Sequence, residues 1–138
     1  MIDKLLKLVI DTGASDLHIA CNEPPILRTN GELQRTDFAA FTPEQVEQLC
    51  FSFLTEEQKA FLEKNKEIDL SYGVEGLGRF RINIYTDRYG YAAALRTITE
   101  KIPTLDQLNL PATTKEIAQL PRGLVLVTGP TGSGKSTT

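Results

Sequence analysis

The apolar positions change period several times along the chain, and each change predicts a new element. Ile2, Leu5, Leu6, Val9 and Ile10 recur at helical spacing with Lys4, Lys7 and Asp11 on the other side, and Gly13 follows as a stop. An amphipathic helix is predicted there. Leu17-His18-Ile19-Ala20 is short and alternating, and Pro24-Pro25 separates it from Ile26-Leu27-Arg28. Asn30-Gly31 stands between Ile26–Thr29 and Glu32–Arg35; both residues tolerate φ > 0, so a tight hairpin is predicted. Thr42, Pro43 and Gln45 have the spacing of a capped helix start, after which Val46, Leu49, Cys50 and Phe53 share one face. Thr55 with Gln58 repeats the signature ahead of Ala60, Phe61 and Leu62. The period then becomes two: Ile68, Leu70, Tyr72 and Val74, followed by Phe80, Ile82 and Ile84, alternate with polar residues. A third strand over 91–98 follows the loop Asp87-Arg88-Tyr89-Gly90, which predicts a hairpin. Together these elements predict an α+β domain with a mainly antiparallel sheet.

The pattern changes again over 100–111, where Pro103 and Pro111 bracket a polar, Leu-bearing stretch without alternation. It reads as an interdomain linker between a domain over 1–99 and the start of a second over 112–138. Residues 113–120 predict a helix. Residues 123–128 are an almost continuous apolar run, expected to form a strand buried on both faces, as in the parallel sheet of an α/β domain.

Composition narrows the function classes. The 138 residues are 41% hydrophobic and 24% charged, with 15 Lys+Arg against 18 Asp+Glu and a formal charge of −3. That is the balance of a globular protein, without the basic excess of a nucleic-acid binder. No apolar run approaches the roughly 18 residues that span a bilayer, and Asp3, Lys4, Lys7 and Asp11 break the N-terminal stretch, so neither a signal peptide nor direct membrane insertion is expected. A cytoplasmic protein is expected. Cys21 and Cys50 have no C-x-x-C or His-paired spacing and read as small buried hydrophobes. His18, the one histidine, reads as a packed, hydrogen-bonded residue; Asp16 caps the turn or orients it, and Glu56, Glu57 and Glu63 read as solvated helix charges.

The chemistry lies at the far end. Gly129, Pro130, Thr131, Gly132, Ser133, Gly134, Lys135 and Ser136 match G-x-x-x-x-G-K-[ST], directly after the apolar run and before helix-compatible Thr137 and Thr138. In such a loop the glycines let main-chain N–H groups curl around phosphates and a helix N-terminus adds positive charge. Lys135 reaches the β- and γ-phosphates, and the Ser136 hydroxyl is a ligand for Mg²⁺. ATP and Mg²⁺ are the expected ligands. Hydrolysis also needs a second Mg²⁺ carboxylate and a group that positions water. Neither follows Ser136 here, so this stretch alone is expected to be an inactive fragment, with Lys135 its one catalytic candidate.

Three segments carry a resemblance. With Ala14-Ser15-Asp16-Leu17-His18-Ile19, Gly78-Arg79-Phe80-Arg81-Ile82-Asn83 and the residues from Pro121 to Thr128 that lead into the phosphate loop, the chain resembles the PilT-like ATPases. These are type IV pilus retraction motors within the secretion ATPase superfamily. The resemblance implies a PAS-like N-terminal domain, a linker and the first elements of a RecA-like ATPase domain. It implies a homo-hexameric cytoplasmic ring, peripheral to the inner membrane, that hydrolyses ATP against the pilus platform protein and so drives twitching motility. The 13 residues ahead of Ala14 favour retraction, because extension and secretion members usually carry a further domain there. A non-catalytic assembly or docking module of a pilus or type II secretion machine is the alternative. The family's N-terminal arginines that approach nucleotide match Arg81 and Arg96 by position, with Arg88 a further candidate; the loop of residues 85–90 departs from the family's Asn-rich pattern. The residues by themselves leave two readings open, a solvated charged face without a ligand and an anion site. A turn that sets Thr86 against Tyr91 sets Ile82 against Leu95 and Arg81 against Arg96, a like-charge pair that an anion or a carboxylate would relieve. Lacking one, loss of either arginine is expected to be neutral or slightly stabilising.

Overall fold

The computed structural model describes residues 2–98, 103–130, 133–135, 137 and 138. The chain divides into two compact units, residues 1–100 and 101–138.

The first unit starts with helix α1 (Ile2–Thr12), strand β1 (Asp16–Ile19) and the hairpin of β2 (Ile26–Thr29) and β3 (Glu32–Arg35). Helices α2 (Pro43–Phe51) and α3 (Glu56–Asn65) follow, then a meander of β4 (Glu67–Val74), β5 (Gly78–Asp87) and β6 (Gly90–Ile98). The six strands form one antiparallel sheet in the order β3-β2-β1-β6-β5-β4. This is the α+β architecture expected from the pattern.

Local chemistry explains most of the boundaries. At α2 the Thr42 hydroxyl accepts from Gln45 N while Gln45 Oε1 accepts from Thr42 N, with Pro43 in the first helical position. Thr55 and Gln58 repeat the arrangement at α3. Each box satisfies two main-chain donors that a helix start leaves without partners. Asn30 and Gly31 take φ of 52° and 87°, the two left-handed residues that a two-residue hairpin needs. At the next hairpin Asp87 Oδ1 accepts from the main-chain N–H groups of Tyr89 and Gly90, which ties the turn and sets the register. Thr86 pairs with Tyr91, Ile82 with Leu95, and Arg81 with Arg96, as expected.

All three helices cover one face of the sheet. Leu5, Leu6 and Val9 of α1, Val46 and Leu49 of α2 and Leu62 of α3 pack in one core with Leu17, Ile19, Phe80, Ile82, Ile84 and Leu95. Cys21 and Cys50 are free and buried, as read from the sequence, and burial pushes the Cys50 thiol up to about 12. The opposite face of the sheet carries the polar half of the β4 and β5 alternations, together with Asp16, His18, Arg28 and Arg96.

In the second unit, Thr104 and Gln107 cap a turn through the same reciprocal bonds. The turn is tied by Asp106 to Lys115 of α4 (Thr113–Ala118), a helix shorter than the expected 113–120. Residues 100–102, where the expected linker begins, lie outside the described residues. The expected buried strand over 123–128 is not formed. Leu124 is 84% exposed and Leu126 74%, and no described strand pairs with the run. A strand gains its ladder and its burial from neighbours, and this run has none among the described residues of the second unit.

Candidate functional site

The described residues of the phosphate loop are Gly129, Pro130, Ser133, Gly134 and Lys135. Gly129 has φ of 154°, a conformation that strains other residues, and a Cβ built there would lie 2.6 Å from Ser133 Oγ, so a side chain at this point would also displace the Ser133 hydroxyl. Ser133 N donates to Pro130 O at 3.2 Å, and the Lys135 ammonium closes the loop by donating to the same carbonyl at 2.7 Å. Thr137 N and Thr138 N both donate to Gly134 O, the first turn after the loop. Thr131, Gly132 and Ser136 of the expected site lie outside the described residues. An ammonium held against a main-chain carbonyl beside a glycine of positive φ is chemistry that suits an anion.

The second candidate region is the helix-free face of the sheet. Because the faces alternate, one row across four strands reads Arg28, Asp16, Arg96, Arg81, from β2 through β1 and β6 to β5. Two of the arginines are thus direct neighbours, and the protein supplies a carboxylate to each. Asp16 Oδ1 accepts from Arg96 Nε at 2.9 Å, and Oδ2 from the Ser15 hydroxyl at 2.8 Å, with Arg28 Nε 3.5 Å away. Arg81 reaches diagonally past Ser71 to Asp69, its Nε and Nη2 both donating to that carboxylate. Arg79 makes the same diagonal reach to the Ser71 hydroxyl at 3.2 Å.

The two carboxylates differ in setting. The Asp16 side chain is 10% exposed, and burial is the largest influence on it, opposing ionisation; the hydrogen bonds from Arg96 and Ser15 with the charges of Arg96 and His18 together outweigh it and hold the carboxyl below its ordinary value. Asp69 is 40% exposed and is lowered chiefly by its hydrogen bonds from Arg81.

Several sequence expectations change here. Asp16 neither caps the turn nor orients His18; it anchors two arginines on neighbouring strands. The His18 ring is partly buried opposite Ile26 and Ala94, and its Nε2 has no hydrogen-bond partner among the described residues, since both cross-strand neighbours are apolar. Arg88 lies at the hairpin tip with its guanidinium 4.6 Å from the Tyr89 ring centre, a cation–π contact within the loop. Asp69 was not among the residues the sequence singled out. The alternation sets it on the polar side of its strand, but its place opposite Asn83 and diagonal to Arg81 comes from the β4–β5 register, which the structure supplies. Asp16 and Arg96 meet across 80 residues, and no local pattern announces that pairing.

Among the described residues no helix is long and apolar enough to cross a membrane, and no three His, Cys, Asp or Glu side chains are grouped to hold a metal. Similar proteins include the type IV pilus retraction ATPase PilT of Pseudomonas aeruginosa, 40% identical over 137 residues, and the type IV pilus ATPase PilU of the same organism, 36% identical over 135. These alignments take in 99% and 98% of this chain, but the chain spans only 40% and 35% of those relatives' lengths. A solved structure of the pilus retraction motor PilT with bound ADP superposes with a TM-score of 0.81 at 43% identity, covering 97% of this chain and 39% of that one. The family model for type II/IV secretion system proteins matches from residue 1 through 138, and the chain, with its phosphate loop and its arginine-bearing sheet, belongs to that family.

Proposed function

We propose that this chain is the N-terminal part of an ATP-hydrolysing motor subunit that powers type IV pilus retraction, and with it twitching motility. The working form in this reading is a cytoplasmic homo-hexamer, peripheral to the inner membrane and acting on the pilus platform protein. The observation that carries the reading is the phosphate loop: a glycine curl closed by Lys135 on the Pro130 carbonyl. The names of the similar proteins, retraction ATPase and retraction motor, support the direction of movement.

Each residue then has a part. Main-chain N–H groups from Gly129, Thr131, Gly132, Ser133 and Gly134 bind the phosphates, and Pro130, which has no N–H, shapes the loop between them. Lys135 exchanges the Pro130 oxygen for the β- and γ-phosphate oxygens and offsets charge that builds on the γ-phosphate as the bond to it breaks. Ser136 offers its hydroxyl to Mg²⁺ and Thr137 follows at the helix start. Mg²⁺, once bound, neutralises phosphate charge. Arg81 and Arg96 add positive charge to the bound nucleotide.

The test uses the protein over the full length of its relatives. Lys135→Ala is expected to lower ATP turnover about a hundredfold, the loss typical of removing one preorganised charge contact. Near wild-type turnover in that variant would make the loop a structural turn and end the motor reading. The 138-residue chain by itself is expected to give no turnover in the same assay.

A further inference from the structure

On the open face, a shallow pocket of about 260 Å³ is lined by Asp16, Asp69, Arg81, Asn83, Ala94, Leu95 and Arg96. Two arginines and two carboxylates leave its charge at zero, which is a poor setting for a polyanion. The two ion pairs are nevertheless built differently. Asp16 sits on a central strand, nine-tenths buried, and is held by Ser15 and Arg28 as well as Arg96. It engages Arg96 through Nε, and the two terminal nitrogens of Arg96 donate to no described partner. Asp69 stands on the edge strand β4, 40% exposed, and its described partner is Arg81. It takes the side-on edge of that guanidinium, Nε and Nη2 together. Paired donors of that kind are what arginine presents to a phosphate.

We propose that Asp69 is a displaceable internal anion: it occupies the paired donors of Arg81 that a nucleotide phosphate uses, and it must swing away for the phosphate to bind, while Asp16 stays and positions Arg96. The proposal rests on the reading of Arg81 and Arg96 as nucleotide contacts. The exchange is feasible because an exposed ion pair is weak, whereas Asp16 is tied from three sides. Its consequence is directional: removing the Asp69 carboxylate improves binding instead of damaging it.

The experiment measures the affinity of the full-length protein for a non-hydrolysable ATP analogue by titration calorimetry at fixed ionic strength. Asp69→Asn and Asp69→Ala are expected to tighten binding about two- to threefold, within the worth of an exposed pair. That gain should vanish when Arg81→Ala is added, since the released donors are then gone. Unchanged or weakened affinity in both Asp69 variants, with Arg81→Ala and Arg96→Ala still weakening binding, would overturn the displacement alone. If Arg81→Ala and Arg96→Ala leave the affinity as it was, the nucleotide role of the arginines falls and the proposal falls with it.

Discussion

Residues 1–100 and residues 101–138 use similar apolar material to opposite effect. In the first unit Ile82 and Ile84 are fully buried and Leu95 is 2% exposed; in the second, Leu124 and Leu126 are largely in solvent. The difference lies in what each pattern requires. An alternating strand has one apolar face, and α1, α2 and α3 cover that face from within the same 100 residues. A continuous apolar run needs strands on both sides and layers above and below. The described part of the second unit contains neither. The first unit therefore satisfies its own pattern, and the second holds a pattern that is satisfied only in company.

That contrast can be broken most directly at the core. Ile82→Ala in this chain should lower the unfolding free energy by about 3 kcal/mol, the middle of the range for a buried aliphatic truncation, read by urea denaturation. Equal sensitivity at Leu126→Ala would mean the two regions do not differ. In the full-length protein, by contrast, Leu126→Ala should become as costly as a core truncation.

The open face offers a second, smaller effect. Asp16→Asn should destabilise the chain at pH 7 by about 1–3 kcal/mol, because a nearly buried charge-assisted network loses its acceptor. The sign with pH follows from a native carboxyl held below its ordinary value of about 3.8. Its contribution is fully present above that value and is lost as pH falls through the lower native one. The stability gap between wild type and the Asp16→Asn variant should therefore be flat from about pH 5 to 8 and shrink below about 4. A gap that widened in acid would contradict the geometry. Arg96→Ala should destabilise in the same direction, since it leaves Asp16 with Ser15 and Arg28. This reverses the expectation of neutrality that follows from treating the arginines as an unrelieved like-charge pair.

The smallest effect sharpens the comparison within the face itself. Arg81→Ala should leave the thermal midpoint of this chain essentially unmoved, because Arg81 is 66% exposed and its partner is also wet. In the full-length protein the same change should lower ATPase activity. A marked drop in the midpoint would make Arg81 a structural residue.

Much of this molecule was legible in the sequence, for reasons of range. The capping boxes at Thr42 and Thr55, the Asn30-Gly31 hairpin and the Arg81–Arg96 register each depend on residues within a few positions or across one tight turn. The phosphate loop is legible in the same way, since its function is carried by main-chain groups and one lysine within eight consecutive residues. Tertiary structure decided what those elements meet. Nothing local predicts that β1 inserts between β2 and β6, and it is that insertion that gives Arg96 a buried carboxylate from Asp16 and leaves His18 between two apolar neighbours. The run over 123–128 makes the same point from the other side: an apolar stretch specifies that it wants burial, but only neighbouring strands can bury it.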